Sequence, residues 1–364
     1  RQPLTPPITS HRVLSATSRM AMGVLASAAA TLATAAVPAT AAPATAAVPL
    51  HIVFSAECNP LFDWHSVGVF HSFTTSRQHG NITRLLACAG DALREYPATN
   101  LDMGPTFVHR NMRDDPLVDE KGYPSYNKPY SVMAWLAETP VAEDYVLMMD
   151  SDMVLREPLD PVALGVARGR VVSAEYTYLV GTTSGFSERF IAEKLVPRLA
   201  QVGGFHIFHR EDLRAIAPLW LEYTKRVRAF AHSEPDVFYR ESMSPMEKGG
   251  TAAEEAVRKK QSMWHSEMYG YVFAAAEVGV THRISRSVML YPGYVPYMGR
   301  GPNILHYGSD YKMPGYTAAD GSEPCVGGRC LEGAARARAA VPSKPVSPRL
   351  LGTGASPHAP QQPR

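Results

Sequence analysis

The chain has 364 residues, 45% of them hydrophobic, and a formal net charge of +2. That length holds one large domain or two ordinary ones, and that apolar fraction supports a sizeable core. The charge is thinly spread with no dense basic block, which argues against a nucleic-acid partner.

Residues Arg1 to about Ala47 are unlike the rest. Arg1, Arg12 and Arg19 supply positive charge, no acidic residue precedes Glu57, and no charged residue lies between Met20 and Leu50. A basic flank before an Ala-rich apolar run predicts a signal anchor or signal peptide, with an organelle transit peptide as the rival reading. Ala39 to Pro49 then reads as a flexible stem. The expected division is a targeting segment and stem over 1–50, a folded region over 51–312, and a Pro/Gly/Ala/Arg-rich disordered tail over 313–364.

The folded region opens with a short β-like run, His51 to Ser55. Asp63 to Thr75 carries apolar residues at mixed helical spacing. Ile82 to Cys88 reads as a second strand and Thr106 to His109 as a third. Lys128 to Leu136 reads as a helix. Arg170 to Ala174 and Val202 to Phe208 are further strand candidates, the latter opening on the pair Gly203-Gly204, where a ligand could approach the backbone closely. Glu211 to Phe230 is helical in pattern, with Pro218 at a start or kink. Glu234 to Lys260 reads as a charged, irregular surface insertion. Trp264 to Val278 is a strong helix candidate, and Arg283 to Leu290 a late strand. Strands alternating with helices predict an α/β fold with a mainly parallel sheet.

The densest chemical signal is Tyr145 to Leu155, where five apolar residues run into Asp150-Ser151-Asp152 and three more apolar residues follow. The apolar run predicts a strand buried on both faces. Two carboxylates at its end are costly to bury unless paired or bound to a cation. Ligands of open α/β sheets bind at the carboxyl ends of strands. The stretch therefore predicts a strand that delivers two oxygen ligands, Asp150 and Asp152, to Mg²⁺ or Mn²⁺ held with a substrate diphosphate. Downstream, Tyr291 to Pro296 is an aromatic loop whose Tyr291 and Tyr294 suit stacking on a sugar or base. Asn303 to Gly308 places His306 at the end of a short apolar run. Cys58, Cys88, Cys325 and Cys330 allow three pairings, with no zinc-type spacing. Asn81-Ile82-Thr83 is a glycosylation sequon, usable only in the secretory lumen.

Many blocks, in order from His51 to Gly308, resemble the plant and algal peptidyl-serine α-galactosyltransferases. They include His51 to Cys58, Phe62-Asp63-Trp64, Ile82 to Leu86, Asn127-Lys128-Pro129, Tyr178 to Gly181, Ala217 to Trp220, Ser266 to Tyr271 and Tyr291 to Pro296. These enzymes are related to the hydroxyproline O-arabinosyltransferases, which share the Glu-Met-Tyr-Gly-Tyr block. The arabinosyltransferases look more divergent at Asp-Ser-Asp, so the likeness leans towards galactose. Glu234 to Lys260 departs from the pattern.

The resemblance implies a Rossmann-like GT-A glycosyltransferase, a type II membrane protein of the Golgi or endoplasmic reticulum facing the lumen. It would move galactose, or alternatively arabinofuranose, from a UDP-sugar to a serine- and hydroxyproline-rich wall glycoprotein, with Mn²⁺ or Mg²⁺ as cofactor. Asp152 is the first expected metal ligand, and His306 the second, because such folds often supply a late histidine. Asp150 would act through water or on the ribose, and Lys312 would touch the diphosphate. Gly203, Gly204, Tyr291, Tyr294 and Gly308 would line the donor pocket. Glu267 is the expected active-site carboxylate; α-transfer from a UDP-α-sugar retains configuration and needs no inverting base. In the secretory lumen Cys58 would pair with Cys88, since both flank early core strands.

Two rivals stand beside this reading. Asp150-x-Asp152 also fits the first motif of haloacid-dehalogenase-type phosphatases, with Asp150 as nucleophile and Asp152 as acid/base, although no later acidic Mg²⁺ pair follows. The other is a non-catalytic sugar-binding protein that kept the fold.

Overall fold

The computed structural model describes residues 47–118, 120–244, 250–291 and 301–308. The expected targeting segment through residue 46, the tail, Tyr294 and Lys312 lie outside the described residues. Among those described, no helix is long and apolar enough to cross a membrane.

In chain order the elements are β1 (Leu50–Glu57), α1 (Pro60–Thr75), β2 (Ile82–Ala87), the short helices α2 (Gly90–Glu95) and α3 (Ala98–Leu101), β3 (Thr106–His109), α4 (Asn127–Glu138), β4 (Tyr145–Met149) and β5 (Met153–Leu155). Then come β6 (Arg170–Glu175), β7 (Val202–His209), α5 (Arg210–Ser233), α6 (Pro235–Ser242), α7 (Ala252–Ser262), α8 (Ser266–Val278), β8 (Thr281–Ile284), β9 (Met289–Leu290) and β10 (Ile304–His306).

Seven strands form one sheet in the order β3-β2-β1-β4-β7-β6-β8. β1 pairs in parallel with both β2 and β4, and β7 runs antiparallel to β4 and β6. The result is the expected Rossmann-like α/β arrangement with a mainly parallel mixed sheet. A second sheet, β5-β10-β9, lies beside it. The strand order reverses between β1 and β4, because β2 and β3 lie on one side and the later strands on the other. Loops leaving the carboxyl ends of β1 and β4 therefore diverge and leave a crevice.

Both faces of the sheet are covered. Ile52, Phe54, Leu147 and Met149 face one apolar layer with Val69 of α1, while Val53, Val146 and Met148 face the layer built by α4, α5 and α8. This explains the unbroken apolar run of β4: with both sides dry, alternation disappears. α1 starts where Asn59 accepts the backbone N–H groups of Leu61 and Phe62 at 3.1 and 3.2 Å, with Pro60 in the first turn. α5 and α8 approach closely at Gly270, where a Cβ would fall 2.3 Å from Thr224 Oγ1.

Three segments differ from expectation. Glu234 to Lys260 contains two helices instead of an irregular insertion. Phe238 and Tyr239 bury one side of α6. The mostly exposed α7 is set by a Thr251/Glu254 capping box, with acids in its first turn and lysines in its last. α5 begins at Arg210 and continues through Pro218, so that proline does not mark a helix start. The late strand splits into β8 and β9, which belong to different sheets.

The expected Cys58–Cys88 disulfide is formed. It ties together the chain just beyond the carboxyl ends of the parallel pair β1 and β2.

Candidate active site

Asp150, Ser151 and Asp152 form the turn between β4 and β5, at the crevice. β10 pairs antiparallel with β5, placing His306 opposite Met153. That ladder brings a residue 154 positions away onto the turn: His306 Nε2 lies 3.1 Å from Asp152 Oδ1, and the Tyr307 N–H donates to the Asp152 carbonyl at 3.1 Å. One ligand-type atom each from Asp150, Asp152 and His306 lies within 4.8 Å of the others. That spread is close to the span across one cation with ligands at about 2.1 Å. Two carboxylates and an imidazole fit Mn²⁺ or Mg²⁺ better than a thiophilic ion. On the far side of the ring, His306 Nδ1 lies 3.3 Å from the Tyr176 hydroxyl, the kind of contact that fixes which nitrogen faces a metal.

Lys128, at the start of α4, lies 2.6 Å from Asp150 Oδ1 and 3.6 Å from Glu267 Oε2. Burial works against its charge, but Asp150 and Glu267 outweigh that and push its pKa up. Glu267, in the first turn of α8, is buried, and burial pushes its carboxyl up while Lys128 pulls it down. Burial likewise opposes the Asp152 carboxylate, yet the His306 hydrogen bond and the nearby His65 ring leave it below its ordinary value. His65, from α1, contacts Ser151 Oγ at 3.2 Å.

These groups face one cavity of about 420 Å³, which runs from Glu57 at the end of β1 past Asp150 and Asp152 to Glu267, Trp264 and Tyr291. At the β1 end, Glu57 is gripped by Arg113 at 2.7 Å and by Asn127 Nδ2 at 2.9 Å. The cavity thus carries both charge signs at the switch point of the sheet. It can hold a cation beside an anionic ligand.

Of the sequence-derived candidates, Asp150, Asp152, His306, Glu267, Tyr291 and Gly308 all line this cavity. Gly203 and Gly204 instead line a small recess behind it, with Lys128, Asp150 and Glu267. The space that the pair frees is taken by Tyr176, whose atoms would lie 2.2 Å from a Cβ at Gly203 and 2.7 Å from one at Gly204. Gly204 also has φ +71°. The glycines therefore seat the ring that backs His306. Sequence reasoning missed Lys128, Glu57, Arg113, His65 and Tyr176 as site residues. Only Lys128 and Glu57 stood in blocks that carried the resemblance.

Residues 50–238 match the model of the hydroxyproline O-arabinosyltransferase family N-terminal domain. A peptidyl serine alpha-galactosyltransferase of Arabidopsis thaliana is 39% identical over 72% of this chain and 30% of its own length. One of Chlamydomonas reinhardtii is 35% identical over 71% of this chain and 34% of its own. Hydroxyproline O-arabinosyltransferase 3 of Arabidopsis thaliana is 26% identical over 73% of this chain and 67% of its own. The chain thus spans about a third of the length of the two galactosyltransferase relatives. Among solved structures, the galactosyltransferase LgtC with donor and acceptor sugar analogs aligns with TM-score 0.40 and 13% identity, over 74% of this chain and 91% of that one.

Proposed function

The chain belongs to the hydroxyproline O-arabinosyltransferase family, and from that premise we propose that it is a metal-dependent glycosyltransferase that moves galactose from UDP-galactose to serine in hydroxyproline-rich proteins, with retention. The observation that carries this reading is the convergence of Asp150, Asp152 and His306 within 4.8 Å at the switch-point cavity. When bound there, Mn²⁺ or Mg²⁺ neutralises charge that grows on the departing diphosphate. Asp152 and His306 would hold the ion, with Asp150 in support. Tyr176 and Tyr291 pack beside His306, the latter with ring centroids 4.6 Å apart. Glu267 supplies an acceptor for hydroxyls of the sugar or the incoming serine. Glu57, Arg113 and Asn127 shape the β1 end of the cavity.

The higher identity to the peptidyl serine alpha-galactosyltransferases, 39% and 35% against 26%, supports serine and galactose. Transfer of arabinofuranose to hydroxyproline is the second reading, favoured by the name of the matched domain. The phosphatase alternative loses its ground, since Asp152 faces His306 and the family is one of glycosyltransferases. We place the enzyme in the lumen of the Golgi or endoplasmic reticulum, a reading that the Cys58–Cys88 disulfide supports. An N-terminal anchor would tether it to the membrane there.

The test is a donor screen with Mn²⁺, a panel of UDP-sugars and serine/hydroxyproline peptides. Galactose on serine is the expected product. A site that hydrogen-bonds one sugar's hydroxyls rejects a donor lacking them by about 10⁴-fold or more, so UDP-arabinofuranose should be poor. Pentose on hydroxyproline with serine unmodified would overturn the sugar and the acceptor. UDP binding without turnover of any donor would favour the non-catalytic reading.

A further inference from the structure

Lys128 occupies a place that the metal site by itself does not require. Its ammonium spans two carboxylates from separate elements, at 2.6 Å from Asp150 Oδ1 and 3.6 Å from Glu267 Oε2. Its side chain is 23% exposed at the cavity wall, so solvent screens this contact only partly. Asp150 is also one of the three convergent ligand residues.

A cation entering the triad meets two obstacles from Lys128. The ammonium already uses a lone-pair site on Asp150 Oδ1, and it repels a second positive charge nearby. Asp150 and Asp152 offer two negative charges, and Lys128, shared between Asp150 and Glu267, offsets part of them. A nucleoside diphosphate reverses the balance. Its phosphate oxygens bring negative charge to the ion and to Lys128 together, so the ammonium that opposes the bare ion favours the ion paired with diphosphate.

We propose that Lys128 is a positioning residue that makes metal binding conditional on the donor: through Asp150 it weakens binding of the free ion and strengthens binding of the ion with a nucleoside diphosphate. The inference rests on the metal-dependent nucleotide-sugar reading of the site. It predicts reciprocal coupling, each ligand raising the affinity of the other by the same factor.

The test is calorimetric titration of Mn²⁺ into the intact protein, alone and with saturating UDP, for the unsubstituted chain, Lys128→Gln and Lys128→Arg. Removing the positive charge should tighten binding of Mn²⁺ alone by about tenfold, a gain that simple structural damage cannot produce. UDP should tighten Mn²⁺ binding strongly in the unsubstituted protein and much less in Lys128→Gln. Lys128→Arg, which keeps the charge, should retain most of the coupling. Lys128→Met serves the same purpose if the Gln variant does not fold. Equal or weaker binding of Mn²⁺ alone by the neutral variants, or undiminished enhancement by UDP, would overturn the proposal. Absence of Mn²⁺ binding by the unsubstituted protein, with UDP as well as without, would instead overturn the functional reading beneath it.

Discussion

Two histidine–carboxylate pairs sit at opposite ends of strand β4, with similar geometry and different surroundings. At the amino end, His51 Nδ1 lies 3.0 Å from Glu143 Oε2, and its Nε2 lies 2.9 Å from Thr83 Oγ1. The other Glu143 oxygen accepts from Asn81, and Trp135 packs on the His51 ring. Glu143 borders an open surface depression of about 450 Å³, in which it is the single carboxylate among the described residues. At the carboxyl end, His306 Nε2 lies 3.1 Å from Asp152. Here a second carboxylate, an ammonium and a cavity of about 420 Å³ adjoin the pair. The difference teaches that a His–carboxylate contact does not make a site. At the amino end the polar atoms of the pair are already taken by Thr83 and Asn81, whereas at the switch point a second carboxylate and an ammonium face the same cavity.

The largest expected effect separates the two ends by turnover. Asp152→Asn should lower transfer by about 100-fold or more, since a preorganised electrostatic group is lost, while Glu143→Gln should leave kcat within about twofold. Near-normal transfer by Asp152→Asn would make the His306–Asp152 pair a structural contact like His51–Glu143.

Ligand-linked stability sharpens the same contrast. Mn²⁺ with UDP, each at a hundred times its Kd, should stabilise the protein by about 2.7 kcal/mol per linked site. Thermal unfolding should show that gain reversed by a chelator, absent in Asp152→Asn and intact in Glu143→Gln. Loss of the gain in Glu143→Gln would tie the His51–Glu143 pair to the site.

Without ligand the ranking inverts. Glu143→Ala leaves the buried His51 ring without its carboxylate partner, and should cost about 1–3 kcal/mol in chemical denaturation. Asp152→Asn keeps an oxygen acceptor for the His306 ring and should cost less than about 1 kcal/mol. Equal losses would argue that both ends are built for stability.

The smallest effect concerns pH and separates burial from pairing. His109 is buried and contacts the Arg110 carbonyl at 2.8 Å. Burial lowers its pKa to about 4, and burial also pushes His206 well below its ordinary value. Because the folded pKa is lowered, the unfolded chain binds more protons, so stability is complete above about 6.5 and falls with pH down to about 4. At pH 5.5 His109 alone should cost about 1 kcal/mol. His109→Gln should flatten that part of the profile, and an unchanged profile would exclude His109 as its source.

Local pattern was enough where one physical constraint dominated. A β4 dry on both faces has to be apolar throughout, so Tyr145 to Met149 announced itself, and the acids that follow it had to face an opening or a cation. The strand at Val202, buried along most of its length, was legible for the same reason. The Thr251/Glu254 capping box and the acid-to-lysine gradient along α7 were equally present in the letters, but a surface helix with little apolar face resembles a loop when periodicity is the guide.

What the sequence by itself determined is the chemistry available: two carboxylates at a strand end, a late histidine, a buried-type glutamate and the family to which these blocks belong. What only the tertiary structure decided is which groups meet. His306 reaches Asp152 because β10 pairs with β5 from far along the chain, and Lys128 reaches Asp150 and Glu267 because α4 and α8 begin at the same crevice. Gly203 and Gly204 yield their space to Tyr176 for the same kind of reason. Local energetics select strand, helix and turn within a few residues. Contacts across a sheet depend on strand order and register, which hydrogen bonding and burial settle only when the whole chain is folded.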